Sequence, residues 1–300
     1  MKKDMKTEII NMIVAKIESG ERLPWSSGLL NRPFMPINSK TGRKYRGFNF
    51  LLLNYFGAGT MEFMTFNQIR EAGGKVKKGA ESLPVIFWSE WNKVEKRPAQ
   101  DGDREEDVYG FWKKYNVFNV GEQTEGINPR REVKTNDENR KDADAEAFIN
   151  AFAAATGLTI RREASSVKIG NGSAYYSPAE HLVQIAPVNE YASAEQWTAT
   201  IFHELVHSTG KAMNREKNKD GFGSETYSKE EIVAEFGAAL LCRRFGIRKE
   251  DDNTAAYIKG WSEAIRNNPD WLINGANAAQ KAVDYMLKVA GMEEPEEAAA

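Results

Sequence analysis

Cysteine, histidine and long apolar runs are all scarce in this 300-residue chain, and each scarcity excludes something. A single cysteine, Cys242, cannot build an intrachain disulfide framework. No apolar run approaches the roughly 18 residues that a membrane-spanning helix requires. The segment Ile9 to Ala15 is too short, and too interrupted around Glu8, Asn11 and Lys16, to read as an export signal. It reads instead as an amphipathic helix, with Ile9, Ile13 and Ile17 at a spacing of four and Gly20 as its stop. A cytoplasmic protein with no membrane attachment is expected, and Cys242 is expected to be a small packed side chain.

Of only three histidines, two stand in the string His203-Glu204-Leu205-Val206-His207. On a helix this H-E-x-x-H pattern puts both imidazoles on one face, with a glutamate beside them suited to act as a general base. A surface helix carrying the string by chance is the plain alternative, and the flanks argue against it. Ser193-Ala194-Glu195-Gln196 has the form of a capping box, so a helix is expected to start there. Trp197, Ile201 and Leu205 then recur at helical spacing, and Gly210 supplies the stop.

A catalytic zinc takes three protein ligands. Met213 stands where an H-E-x-x-H-x-x-G-x-x-H sequence would have its third histidine, which excludes that subclass. His181, placed in an expected strand with Leu182 to Ala186, reads as a strand-surface residue rather than a ligand, and a downstream carboxylate is more suitable. The stretch from Ser228 to Phe236 opens a second expected helix, on which Glu231 and Glu235 lie one turn apart. Glu231 is the preferred ligand and Glu235 its hydrogen-bonding support. Glu231 would also occupy the third position of a capping box begun by Ser228, and if capping is its role Glu235 becomes the ligand. Tyr227 and His181 are weaker candidates for stabilising an oxyanion. Imidazole and carboxylate suit zinc best and also accommodate manganese.

The net charge of −2 conceals a division. Residues 1–135 hold 23 Lys and Arg against 17 Asp and Glu, while residues 136–300 hold 18 against 26. Within 22–78 the ratio is ten to two. Halves of opposite sign argue for separate tasks, with the basic half facing an anion. A polar run between Gly121 and Glu146 offers almost nothing to bury and reads as a hinge. The expected organisation is a front domain over 1–125, a charged linker over 126–145, a second domain over 146–291 and an acidic tail over 292–300.

The front half is expected to be α+β. A turn falls at Ser39 to Gly42, a short helix from Thr65 ends at Gly73-Gly74, and strands fall at Pro84 to Trp88, Tyr109 to Trp112 and Tyr115 to Val120. Basic and aromatic residues alternate from Arg43 to Asn49, and Lys75, Lys77, Lys78, Lys113 and Lys114 add charge. Single-stranded nucleic acid binds such surfaces, with cations following the phosphates and rings stacking on bases. The candidates are Trp25, Arg43, Lys44, Tyr45, Arg46, Phe48, Asn49, Lys75, Lys77 and Lys78, with Trp88 a further ring.

These pieces carry a resemblance. Leu23-Pro24-Trp25, Thr41-Gly42-Arg43 with Tyr45-Arg46-Gly47-Phe48-Asn49, Met64-Thr65-Phe66-Asn67-Gln68, Gly74-Lys75-Val76 with Gly79, and Tyr115-Asn116-Val117-Phe118-Asn119 resemble the single-stranded DNA-binding domain of ArdC-type antirestriction proteins. Tyr175-Tyr176, Phe202 to Gly210, Glu230-Glu231 with Ala234-Glu235, and Ala279 to Tyr285 resemble that family's zincin-like metallopeptidase domain, of the gluzincin type. His181 departs from the aspartate or asparagine expected in relatives. The resemblance implies a plasmid-encoded protein that protects single-stranded DNA from restriction during conjugation.

Two functions follow. In one, the chain is a monomeric, DNA-tethered metalloendopeptidase acting on host proteins near the transferred strand, including components of the restriction system. In the other, it only coats single strands, and the metal domain is a scaffold without turnover. A metal-dependent nuclease is disfavoured, since this motif builds one metal site and nucleases use paired ions.

Overall fold

The computed structural model describes residues 5–19, 23, 35–131, 142–163, 174–215, 225–247 and 262–293. Trp25, residues 132–141 of the expected linker, the side chains of Tyr227 and Ser228, and the end of the tail lie outside the described residues. The fold is α+β, and the chain divides into two compact units.

The first unit comprises residues 1–5, 34–45 and 52–133. Its five-stranded sheet has the order β1-β2-β6-β4-β5, where β1 is Ile37–Asn38, β2 Glu62–Thr65, β4 Leu83–Asn92, β5 Arg97–Pro98 and β6 Val108–Asn119. The two expected strand pieces after Tyr109 are thus one continuous strand. β4 and β6 pair antiparallel along their length, from Leu83 opposite Val117 to Asn92 opposite Val108. A second, two-stranded sheet pairs β3 (Lys75–Val76) with β7 (Thr124–Glu125).

Between these strands lies the short helix α3, Phe66–Glu71. Thr65 caps it in a full capping box with Gln68, the reciprocal pair of hydrogen bonds that the sequence led us to expect. Its Ile69 packs with Met64 and Val120, and Ile127 covers that cluster. The expected linker is therefore shorter than 126–145. The Arg131 amide donates to Glu62 at 2.8 Å and its guanidinium to the Met35 carbonyl at 2.6 Å.

The second unit comprises residues 6–33, 46–51 and 134–300. It includes almost all of α1 (Met5–Glu18), so the packing boundary differs from a front domain continuous from residue 1. The periodic face of α1 is buried at Ile9, Ile10, Ile13, Val14 and Ile17. At its end, Glu18 pairs with Arg266 at 2.5 Å. Helix α2 (Gly47–Phe56) contributes its first residues here and its second half, with Leu52, Leu53 and Tyr55 fully buried, to the first unit.

Helix α4 (Asp142–Thr156) starts inside the expected linker and presents Phe148 and Phe152 to the core. Their rings join those of Phe202 and Phe245, with centroids 5.0 to 6.3 Å apart. That cluster clamps α4 to α5 (Ala194–Ser208) and α6 (Glu225–Phe245). Beside them runs a three-stranded sheet of order β8-β10-β9, formed by Thr159–Arg162, Leu182–Ile185 and Ala174–Ser177. Trp197 ties α5 to this sheet by donating its indole N–H to the Ala186 carbonyl at 2.9 Å. The last helix, α7, is Pro269–Val289.

Two glycines set the spacing of α5, α6 and α7. A Cβ on Gly237 would stand 2.8 Å from the Val206 side chain, and one on Gly275 would stand 2.4 Å from that of Ile232. Both distances are below van der Waals contact, so only glycine lets these helix backbones come so near. Close approach of α6 to α5 is what brings a carboxylate on one helix to histidines on the other.

Candidate metal centre

Helix α5 begins at the expected cap. Ser193 accepts a hydrogen bond from the Gln196 amide at 3.1 Å, and the Gln196 side chain accepts from the Ala192 amide at 3.0 Å. Its apolar side buries Trp197, Ile201, Phe202, Leu205 and Val206. The opposite edge carries His203 and His207, both partly exposed, with Glu204 between them and only 9% exposed.

The two imidazoles converge: their Nε2 atoms are 3.1 Å apart. From α6, Glu231 reaches both rings, with one carboxylate oxygen 3.5 Å from His203 Nε2 and the other 3.3 Å from His207 Nε2. Zinc bonds of about 2.0–2.2 Å in tetrahedral geometry separate neighbouring ligand atoms by about 3.3–3.6 Å, close to the separations found here. The donor set of two imidazole nitrogens and one carboxylate also suits a divalent ion of this size, so these residues fit a metal.

Glu231 and Glu235 do not share this place. Glu235 is half-buried one turn further along α6, outside the three converging groups. His207 Nδ1 faces Glu230, whose Oε1 lies 3.5 Å away. Arg215 holds Glu230 in a bidentate pair, with its Nε and one terminal nitrogen at 3.0 and 2.9 Å. The same guanidinium nitrogen donates to the Val206 carbonyl and to Thr209 Oγ1, both at 3.0 Å. Arg215 therefore fastens the carboxylate to the end of the helix that bears the histidines. A proton on Nδ1, facing Glu230, would leave the Nε2 lone pair of His207 for an ion.

The capping role considered for Glu231 does not arise, because α6 starts at Glu225 and Glu231 lies in its second turn. Glu230 and Arg215 were missed. The adjacent acid Glu230 was visible, but spacing alone does not fix which way a helix is rotated.

Electrostatics favour a cation. Burial opposes a charge on His207, yet Glu230 and Glu231 in contact and Glu204 nearby push it up to about 10. Burial opposes the Glu231 charge too, and the His203 and His207 rings outweigh it, holding the carboxyl far below its ordinary range. Glu230 is lowered in the same way, against its burial, by His207 and Arg215.

His181 sits in the turn before β10 at a φ of 48°, and its Nδ1 is 3.0 Å from the Tyr176 hydroxyl. Among residues other than glycine, asparagine, aspartate and histidine adopt this left-handed region most readily, so His181 fits the turn.

The structure separates the DNA-binding candidates. Arg43, Lys75, Lys77 and Lys78 are exposed and Lys44 is half-buried. Tyr45, Phe48 and Asn49 are buried, at 7, 2 and 8% exposure, so those two rings have no free face for stacking. Phe48 and Asn49 form the first turn of α2 and pack in the second unit. There the Phe48 amide donates to Asn277 Oδ1 at 3.1 Å and the Gly47 amide to Gln280 Oε1 at 3.4 Å. Arg46 is exposed but pairs with Asp284.

Comparison with known proteins now bears on this geometry. Residues 147–278 match the zincin-like metallopeptidase family, and residues 3–118 match the N-terminal domain of anti-restriction factor ArdC. The chain thus joins an ArdC N-terminal domain to a zincin-like metallopeptidase domain. The Mn(II)-bound crystal structure of antirestriction protein ArdC from the R388 plasmid is 28% identical and superimposes with a TM-score of 0.72, covering 97% of this chain and all of that one. The metal-free ArdC structure gives 25% identity, the same coverage and a TM-score of 0.70. Two Escherichia coli DNA primases named TraC are 28 and 29% identical over 96 and 95% of this chain. The chain spans only 27 and 20% of their lengths. Protein y4eC of Sinorhizobium fredii is 28% identical, over 94% of this chain and 91% of its own. Among the described residues, no helix is long and apolar enough to cross a membrane.

Proposed function

We propose that this chain is an antirestriction protein of the ArdC type that binds single-stranded DNA without sequence preference and cleaves host proteins near that DNA through a metal-dependent endopeptidase site. In this reading His203, His207 and Glu231 hold the ion, zinc by preference or manganese as in the ArdC relative. When bound, the ion supplies Lewis-acid polarisation of a peptide carbonyl and makes a nearby water more acidic. Glu204 accepts the proton of the attacking water and passes it to the leaving amine nitrogen as the C–N bond breaks. Glu230, fixed by Arg215, holds the His207 ring in the tautomer that the site needs.

The observation that carries the reading is the buried Glu204 beside three converging donor groups. A scaffold that only holds DNA has no use for a general base at that position. The alternative, a DNA-coating protein whose metal site is purely structural, is further weakened by the metal-free ArdC relative, which keeps the fold. DNA binding draws support from the ArdC N-terminal domain and from the DNA primase relatives.

Glu204→Ala separates the two functions. Restriction protection of a transferred plasmid falls to background, while metal content and single-strand affinity stay at wild-type values. Full protection by this variant, with DNA binding intact, would eliminate the peptidase reading.

A further inference from the structure

The first unit displays rings that an ordinary core would hide. Strand β2 pairs with β6 only over Val117 to Asn119, whereas β4 and β6 continue to Asn92 and Val108. Beyond Val85 and Tyr115 the sheet is therefore a ribbon, joined by β5 only at its tip. Large apolar side chains stay exposed along it: Phe87 at 42%, Trp88 at 55%, Tyr109 at 50% and Tyr115 at 37%.

Residues paired across the two strands share a face, and the faces alternate along each strand. One face carries Val85 and Tyr115, Phe87 and Lys113, Ser89 and Phe111, Trp91 and Tyr109. It has no carboxylate. Phe87 and Tyr115 lie edge to face at 5.8 Å, and the Lys113 ammonium sits 5.0 Å from the Tyr115 ring centre. Buried Tyr45 backs this group, with its ring 6.5 Å from Phe87. The opposite face differs: Trp88 stacks edge to face on Trp112, and its indole N–H donates to Glu90 at 3.2 Å. A phosphate chain along that side would meet the Glu90 charge. The tip is more acidic still, with Glu95, Asp101, Asp103, Glu105, Glu106 and Asp107 against Lys93, Lys96, Arg97 and Arg104.

We infer that the Phe87–Tyr115–Lys113 face of the β4–β6 ribbon is the stacking platform for single-stranded nucleic acid, with bases on the rings and a phosphate at Lys113. The inference rests on the reading that the protein binds single strands, and it names the surface. Charge complementarity selects this occupant over a protein partner: the face is aromatic and cationic, without an acidic group, on a unit whose segments 34–45 and 52–78 hold seven basic residues and two acidic ones. The exposed rings offer π-faces that every base can use, which gives binding without sequence preference.

The test is a fluorescence-anisotropy titration of the full chain with a labelled oligothymidylate at several salt concentrations. It compares wild type with Phe87→Ala/Tyr115→Ala, Lys113→Gln and, on the opposite face, Trp88→Ala. The double variant is expected to bind at least tenfold more weakly and Trp88→Ala within about twofold, given roughly 5- to 150-fold per stacked base. Lys113→Gln, a surface change that spares the rings, lowers the slope of log affinity against log salt by about 0.7. If wild type binds and both the double variant and Lys113→Gln match it, the platform is elsewhere although the DNA reading stands. If wild type does not bind, the DNA reading itself falls and this inference with it. Sedimentation adds a further outcome: a wild type that self-associates, with a monomeric double variant of unchanged DNA affinity, would assign the face to contacts between copies and overturn the proposal.

Discussion

The two units put the same kind of side chain to opposite use. In the second, Phe148, Phe152, Phe202 and Phe236 are fully buried between helices, and the histidines stand on the back of that packing. In the first, Phe87, Trp88, Tyr109 and Tyr115 lie open on a ribbon. Buried rings lock helices in place, and a metal site needs donor atoms fixed to within about half an ångström. Exposed rings fix nothing, but they meet flat ligands of many sequences equally well. The contrast teaches that precision and tolerance are built from one residue type, according to what covers it.

The sharpest way to break this contrast is to remove one ring from each region. Phe202→Ala should destabilise the second unit by about 3–5 kcal/mol, through lost contacts and the cavity left in the Phe148–Phe245 cluster. Phe87→Ala, at an exposed position, should change stability by no more than about 0.5 kcal/mol. Urea unfolding of both variants measures this. Equal losses would mean that the ribbon rings are structural after all.

A smaller effect sharpens the account of the site. Arg215→Ala frees Glu230 from its guanidinium clamp without touching any of the three converging donors. Metal affinity, read by competition with a chromogenic chelator, should fall about 10- to 100-fold, as for other groups that orient a ligating histidine. Single-strand affinity should not move. Unchanged metal affinity would reduce Arg215 to a helix-end anchor.

The smallest effect lies at the ribbon tip. Arg97 and the Gln100 amide hold the Asp103 carboxyl down at about 2, against 3.8 for a free group. A folded value below the unfolded one means that this contact contributes fully above about pH 4 and is lost as pH falls through about 2. The Gln100 amide resonance should shift with a midpoint near 2 and lose that shift in Asp103→Asn. A midpoint near 4 would show that the pair does not form.

Much of this was legible in local chemistry. The Thr65–Gln68 capping box and the Ser193 cap were readable because each is completed within a few residues. The H-E-x-x-H string was readable because helical spacing alone puts both histidines on one face. The burial of Phe48 and Asn49 was not. A basic-aromatic alternation looks the same on an open surface and on a helix start docked against Asn277 and Gln280, more than 200 residues away. Nor was the placement of Glu230 against His207. It depends on how α6 is rotated against α5, which is set by the close approach at Gly237. The long ribbon was read as shorter strands because both of its faces carry aromatic residues, which hides the period of two.

In the proposed function, His203 and His207 of one helix and Glu231 of its neighbour hold one cation, independently of the first unit. Metal analysis of purified wild type beside His203→Ala, with single-strand affinity measured on the same samples, tests it most directly. The account predicts about one equivalent of metal in wild type, little or none in the variant, and identical DNA affinity. A variant that keeps its metal, or loses DNA binding in parallel with it, would contradict the account.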